Sequence, residues 1–106
     1  MPGRGVCAIV VAAACGAMAA PALAATIQIV MDNLVISPAE VTARVGDTIT
    51  WVNKDAFAHS ATADNGDFDV TLPPHNSASF ELKKAGTVDY ICRFHPNMKA
   101  TLKIAP

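Results

Sequence analysis

Three features of the sequence together predict a small all-β domain folded as a two-layer sandwich or barrel. Apolar and polar residues alternate over short segments, glycine and proline turns separate those segments, and no window sustains a helical period. The first segment sets Ile27, Ile29 and Met31 against Gln28 and Asp32. Next, Val41, Ala43 and Val45 alternate with Thr42 and Arg44, and Gly46-Asp47 turns the chain into Ile49 and Trp51. Ala78, Phe80 and Leu82 alternate with Ser79, Glu81 and Lys83. After Ala85-Gly86, Val88, Tyr90 and Cys92 share one face, and Leu102 and Ile104 close the series. Half-buried strands of this length, joined by tight turns, pack as antiparallel layers. Residues 64–76 break the pattern with Asn65-Gly66 and Pro73-Pro74, an irregular crossing in which Phe68, Val70 and Leu72 leave room for a short edge strand.

The first 24 residues read differently. Arg4 is followed by an alanine- and valine-rich run from Val6 to Ala20, and then by Ala22, Leu23 and Ala24. A basic start, an apolar centre and a small-x-small end make a cleavable secretory signal, with cleavage expected after Ala24. The run is too short and too weakly apolar for a membrane-spanning anchor. Residues 1–24 are thus expected to be a leader and residues 25–106 the single folded domain.

Loss of the leader removes Cys7 and Cys15, so Cys92 is the one cysteine of the domain. A lone thiol in an exported, oxidising setting is expected to be buried, metal-bound or paired with another chain. Arg4 leaves too, and seven basic residues then face nine acidic ones with no basic cluster. That balance offers nothing to nucleic acid or to an anionic membrane surface. Insertion of the mature chain in a membrane is not expected, and the domain reads as a monomer.

Chemistry concentrates in the stretch from Tyr90 to Met98, where Cys92, His95 and Met98 are spaced C-x2-H-x2-M. Taken singly, a cysteine or methionine is more often core packing and a histidine before proline more often a turn residue. Together they are a thiolate, an imidazole and a thioether on one short loop, with His59 the candidate fourth ligand. Two histidines, a cysteine and a weak axial methionine form the recurring pattern of copper sites that transfer single electrons. Zinc is disfavoured, because its structural sites carry four Cys or His donors. His75, after Pro73-Pro74, is expected to be a solvent-facing loop residue.

On these residues the sequence resembles the cupredoxins, the small blue copper proteins. The resemblance rests on the Asn53 to His59 segment, on the lead-in Gly46-Asp47-Thr48-x-x-Trp51-x-Asn53, and on Tyr90-x-Cys92-x-x-His95-Pro96-x-Met98. The two-residue gap between His95 and Met98 is most similar to the amicyanin-like group. The resemblance implies a Greek-key β-sandwich of seven to eight strands with one copper ion, Cu(I)/Cu(II), at one end. It implies that His59, Cys92, His95 and Met98 are the ligands, with the His95 ring edge at the surface. It also implies periplasmic redox partners, such as a dehydrogenase donor and a cytochrome c acceptor. Phe94, Pro96, Met98, Pro73 and Pro74 are candidates for an apolar docking patch. Arg93, Phe94 and Ser60 depart from the family habit. The Phe94 N–H is available to bond the Cys92 sulfur and, with the Arg93 charge, to raise the reduction potential, and Ser60 stands where an asparagine is usual.

Two rival functions weigh less. A copper enzyme needs a further, substrate-binding copper, and with His59 and His95 committed only His75 remains. A copper carrier or chaperone without an electron-transfer role is the alternative. Open Met/His clusters would favour it, and the domain holds only Met31 and Met98.

Overall fold

The computed structural model describes residues 23–106; the proposed leader lies outside the described residues except for Leu23 and Ala24. Among the described residues, nine strands follow one another without an intervening helix: β1 (Thr26–Asp32), β2 (Val35–Ser37), β3 (Glu40–Arg44), β4 (Thr48–Asn53), β5 (His59–Ala63), β6 (Asp69–Leu72), β7 (Ser77–Glu81), β8 (Gly86–Ile91) and β9 (Lys99–Ala105). They form a four-stranded sheet in the order β2-β1-β4-β7 and a five-stranded sheet in the order β3-β9-β8-β5-β6. The result is the all-β Greek-key sandwich that the sequence led us to expect, with more strands than the seven or eight anticipated.

Alternation holds where both neighbours are present. In β4, Ile49, Trp51 and Asn53 point inward, and in β9 Ala100, Leu102 and Ile104 do so. Ile29, Met31, Ile49, Trp51, Leu72 and Leu102 are fully buried between the sheets. Full burial of such a side chain stabilises by roughly 1.5–3 kcal/mol. Trp51, Phe68 and Tyr90 pack with ring centroids 5.4–5.7 Å apart, and the Trp51 Nε1–H donates to the Tyr90 hydroxyl at 3.1 Å. Burial pushes the Tyr90 hydroxyl up to about 12, with the bond from Trp51 pulling the other way.

Three details differ from the sequence reading. Val45 is exposed, because β3 ends at Arg44 and the Gly46-Asp47 turn begins there. The strands β2 and β5 have no large alternating residues, only Val35-Ile36-Ser37 and His59-Ser60-Ala61-Thr62-Ala63, so periodicity did not reveal them. The pairing is also not purely antiparallel: β1 pairs with β4, and β3 with β9, in parallel. Parallel neighbours need a long connection, which the chain provides by visiting the opposite sheet before returning. The expected edge strand is present as β6.

Antiparallel pairing of β5 with β8, and of β8 with β9, positions the site. The start of β5, the end of β8 and the start of β9 must then lie at one end of the sandwich. Those three points are His59, Cys92 and Met98.

Asp47 ties down another part of the fold. Its Oδ1 accepts the Ala25 N–H at 2.8 Å and its Oδ2 accepts the Arg44 N–H at 2.9 Å. These bonds, aided by the Arg44 charge and opposed by burial, hold the Asp47 carboxyl below its ordinary value. A depressed carboxyl contributes stability above its unfolded pKa, and that contribution is lost as pH falls through the folded value. Asp47→Asn, which turns one acceptor into a donor, is therefore expected to lower the melting temperature at pH 7. The gap from the parent should narrow below about pH 4, where the unfolded carboxyl protonates. Thermal unfolding followed from pH 3 to 7 checks this, and a gap independent of pH would refute it.

Candidate metal centre

His59 opens β5 and is fully buried, as is Cys92 just beyond β8. His95, half-buried, lies on the loop between β8 and β9. Their ligand atoms converge, all within 4.8 Å of one another. His59 Nδ1 lies 3.7 Å from Cys92 Sγ, and His95 Nδ1 lies 4.0 Å from it. Metal bonds of about 2.0 Å to imidazole and about 2.3 Å to thiolate, at trigonal angles, place nitrogen and sulfur about 3.7 Å apart. A single metal ion therefore fits between the three atoms with little adjustment.

Met98 is 3% exposed and immediately precedes β9. Its N–H donates to the His95 carbonyl at 2.9 Å, and its carbonyl accepts the Cys92 N–H at 3.1 Å. The loop from Cys92 to Met98 is thus closed on itself by its own backbone. Burial removes Met98 from the docking patch in which the sequence reading placed it. Phe94, 48% exposed, remains at the surface with Pro96, Pro73 and Pro74. Phe57 is 44% exposed and joins them. Its ring packs edge-on against His59 at 5.3 Å and tilted against His95 at 5.4 Å.

Asp55 determines how His59 is presented. Its Oδ2 lies 2.7 Å from His59 Nε2. The carboxylate is held below its ordinary value, first by this bond and then, against the cost of burial, by the N–H groups of Asn33 and Leu34. An ionised carboxylate only accepts, so His59 Nε2–H must donate. In the neutral imidazole, Nδ1 then carries the free lone pair and faces Cys92 Sγ, the arrangement a metal-ligating histidine needs. Asn33 and Leu34, with φ of 58° and 63°, form the tight turn between β1 and β2, and Asp55 holds that turn to the site.

Asn53 is 1% exposed and supports the same loop. Its Nδ2 donates to the carbonyls of Phe57 at 2.9 Å and of Leu72 and Pro73 at 3.2 Å, while its Oδ1 accepts the Asp55 N–H at 2.9 Å. His75 is exposed as anticipated, with φ of 56°. Its N–H donates to the Asp55 carbonyl at 3.2 Å, so it serves the site through its backbone.

Two expectations about the sulfur are corrected. The backbone N–H that reaches Cys92 Sγ belongs to Ser60, at 3.4 Å, and not to Phe94. Arg93 is not a free charge, because its Nε–H donates to Asp69 Oδ1 at 3.0 Å. The sequence reading also missed Asp55 and Phe57. For Asp55 there was one usable signal, a carboxylate four residues before a suspected ligand within a turn. Phe57 carried none beyond its closeness to His59.

Comparison with known proteins gives a consistent picture. A family model described as a cupredoxin-like domain matches residues 5–104. The plastocyanin of Scenedesmus fuscus is 32% identical over 85 residues, which cover 67% of this chain and 87% of that protein. The amicyanin of Paracoccus denitrificans is 30% identical over 71 residues, covering 61% of this chain and 54% of that one. Among solved structures, a Cu(I) form of an amicyanin variant superposes with a TM-score of 0.66 at 25% identity, covering 74% of this chain and 81% of its own.

The Asn53 amide gives the site a stability that is measurable without metal. Asn53→Ala leaves buried carbonyls and the Asp55 N–H without partners, at a cost of about 1–3 kcal/mol. Urea unfolding of the metal-free domain should show that loss, and unchanged stability would mean the amide does not hold the loop.

Proposed function

Because the chain belongs to the cupredoxin-like domain family, we propose that it is an exported one-electron carrier holding one copper ion through His59, Cys92, His95 and Met98. The observation that carries this reading is the convergence of two imidazole Nδ1 atoms on one buried thiol at metal-binding distances. Copper bound there would supply reversible one-electron chemistry, since sulfur suits Cu(I) and imidazole suits Cu(II).

The protein residues do the rest. Asp55 keeps the His59 lone pair aimed at the site, and Asn53 fixes the loop that carries His59. The Cys92–Met98 backbone bonds restrain the other three donors, so little has to move when an electron arrives. Phe57 covers both imidazoles on the solvent side. His95 is the proposed ligand nearest the surface, packed against Phe57 and flanked in the chain by the exposed Phe94 and Pro96. That apolar rim supports docking of redox proteins, and the likeness to amicyanin suggests a dehydrogenase as donor and a cytochrome c as acceptor. Met31 is fully buried in the core, which leaves no open methionine cluster among the described residues and weighs against a copper carrier.

This is an electron-carrier family, and the chain is not an enzyme. The test of the site is the visible spectrum of the domain with one equivalent of Cu(II), beside a Cys92→Ser control. An intense thiolate-to-copper band, bleached by reductant and missing from the control, is expected. A pale protein would exclude Cys92 as a copper ligand.

Export to the periplasm is supported by the leader pattern and by the junction itself. Leu23 is 94% exposed. Cleavage after Ala24 would turn the Ala25 nitrogen into an ammonium 2.8 Å from Asp47 Oδ1, replacing a hydrogen bond with an ion pair. The intact mass of protein recovered from the periplasm should correspond to a chain beginning at Ala25. A periplasmic chain retaining residues 1–24 would reject cleavage there.

A further inference from the structure

Ser60 and Arg93, two of the residues that depart from the family habit, belong to one closed ring of hydrogen bonds. The Arg93 N–H donates to Ser60 Oγ at 2.8 Å, and Ser60 Oγ lies 2.8 Å from Thr62 Oγ1. The Thr62 hydroxyl donates to Asp69 Oδ1 at 2.9 Å, and the same oxygen accepts the Arg93 Nε–H at 3.0 Å. Arg93 is further held by its terminal nitrogen on Thr71 Oγ1 at 3.0 Å.

The direction of every proton in this ring follows from Asp69. An ionised carboxylate can only accept, so the single Thr62 proton is spent on it. Thr62 Oγ1 must then accept from Ser60, and the Ser60 oxygen, its own proton committed, is left to accept the Arg93 N–H. Ser60 is fully buried, and its backbone N–H is the donor to Cys92 Sγ. The ring therefore clamps the residue that donates to the sulfur to the residue that follows the sulfur.

Stability is a poor explanation for this arrangement. The Arg93 and Asp69 side chains are 40% and 58% exposed, and ion pairs so exposed contribute little. We propose that Asp69 is a positioning residue of the copper site, fixing Cys92 through Thr62, Ser60 and Arg93 and offsetting the Arg93 charge beside the metal. The proposal rests on the copper reading given above.

The test compares Asp69→Asn, Thr62→Val and Thr62→Ser with the parent in two measurements. In copper-free protein, hydrogen exchange of the Arg93 amide reports its bond to Ser60, with the Leu102 amide as the reference for global opening. In copper-loaded protein, voltammetry reports the reduction potential. Thr62→Val should speed Arg93 exchange relative to Leu102 by about tenfold, as expected for loss of one ordinary hydrogen bond. Asp69→Asn keeps an Oδ1 that accepts from both Thr62 and Arg93 and should leave exchange near the parent rate. Asp69→Asn should move the potential upward, because an uncompensated Arg93 charge favours the reduced metal. Thr62→Val should shift the potential without any change of charge, and Thr62→Ser should keep both parent values. Parent potentials in both Asp69→Asn and Thr62→Val overturn the role, whatever the exchange shows. A potential shift confined to Asp69→Asn is the bare loss of a charge and overturns it as well. A parent protein without the intense visible band sinks the copper reading, and the role of Asp69 falls with it.

Discussion

A fully buried imidazole must have both of its nitrogens satisfied, and the metal end of this protein is organised around meeting that demand at His59. One nitrogen takes the Asp55 carboxylate, and the other faces sulfur. Asp55 can stand there only because Asn53, the β1–β2 turn and the His75 backbone hold it from three sides. The ligand cage is therefore assembled from parts that already satisfy one another. A metal ion entering it meets donors whose orientation is already set, which is the condition for small rearrangement on electron transfer.

The sequence made much of the scaffold legible, for a physical reason. Strands packed on one face alternate, and β1, β3, β4, β7, β8 and β9 did so. β5 lies between β8 and β6, is buried along most of its length and is built from His, Ser, Ala and Thr, so it carries no apolar rhythm. The candidate ligands stood out through chemistry, since a thiol, an imidazole and a thioether on one short loop have few structural explanations. Their supports did not, because a hydrogen bond such as Asp55 to His59 depends on how a turn folds back. The Phe94 N–H was misassigned for a similar reason. Proximity along the chain suggested a donor from the loop, whereas the adjacent strand supplies Ser60.

Ser60 and Arg93 illustrate how a site tolerates departures from a family habit. A serine is shorter than an asparagine. Here it bridges the two ligand loops with two atoms, the backbone N–H to sulfur and the hydroxyl to the Arg93 N–H. The reach that serine lacks comes from Thr62 and Asp69 behind it. The bracing between the two loops is thus spread over several small groups.

The position of β9 has a consequence for how the protein comes into being. β9 is an interior strand of the five-stranded sheet, paired on one side with β3 and on the other with β8. Three of the four candidate ligands immediately precede it in the chain, and a ribosome makes that stretch after the eight strands before it. A nascent or stalled chain can hold Asn53, Asp55 and His59 and still own neither the thiol nor the strand that orders it. The candidate ligand loop thus closes only on a chain that already carries β9, and a molecule clipped before Lys99 lacks that strand.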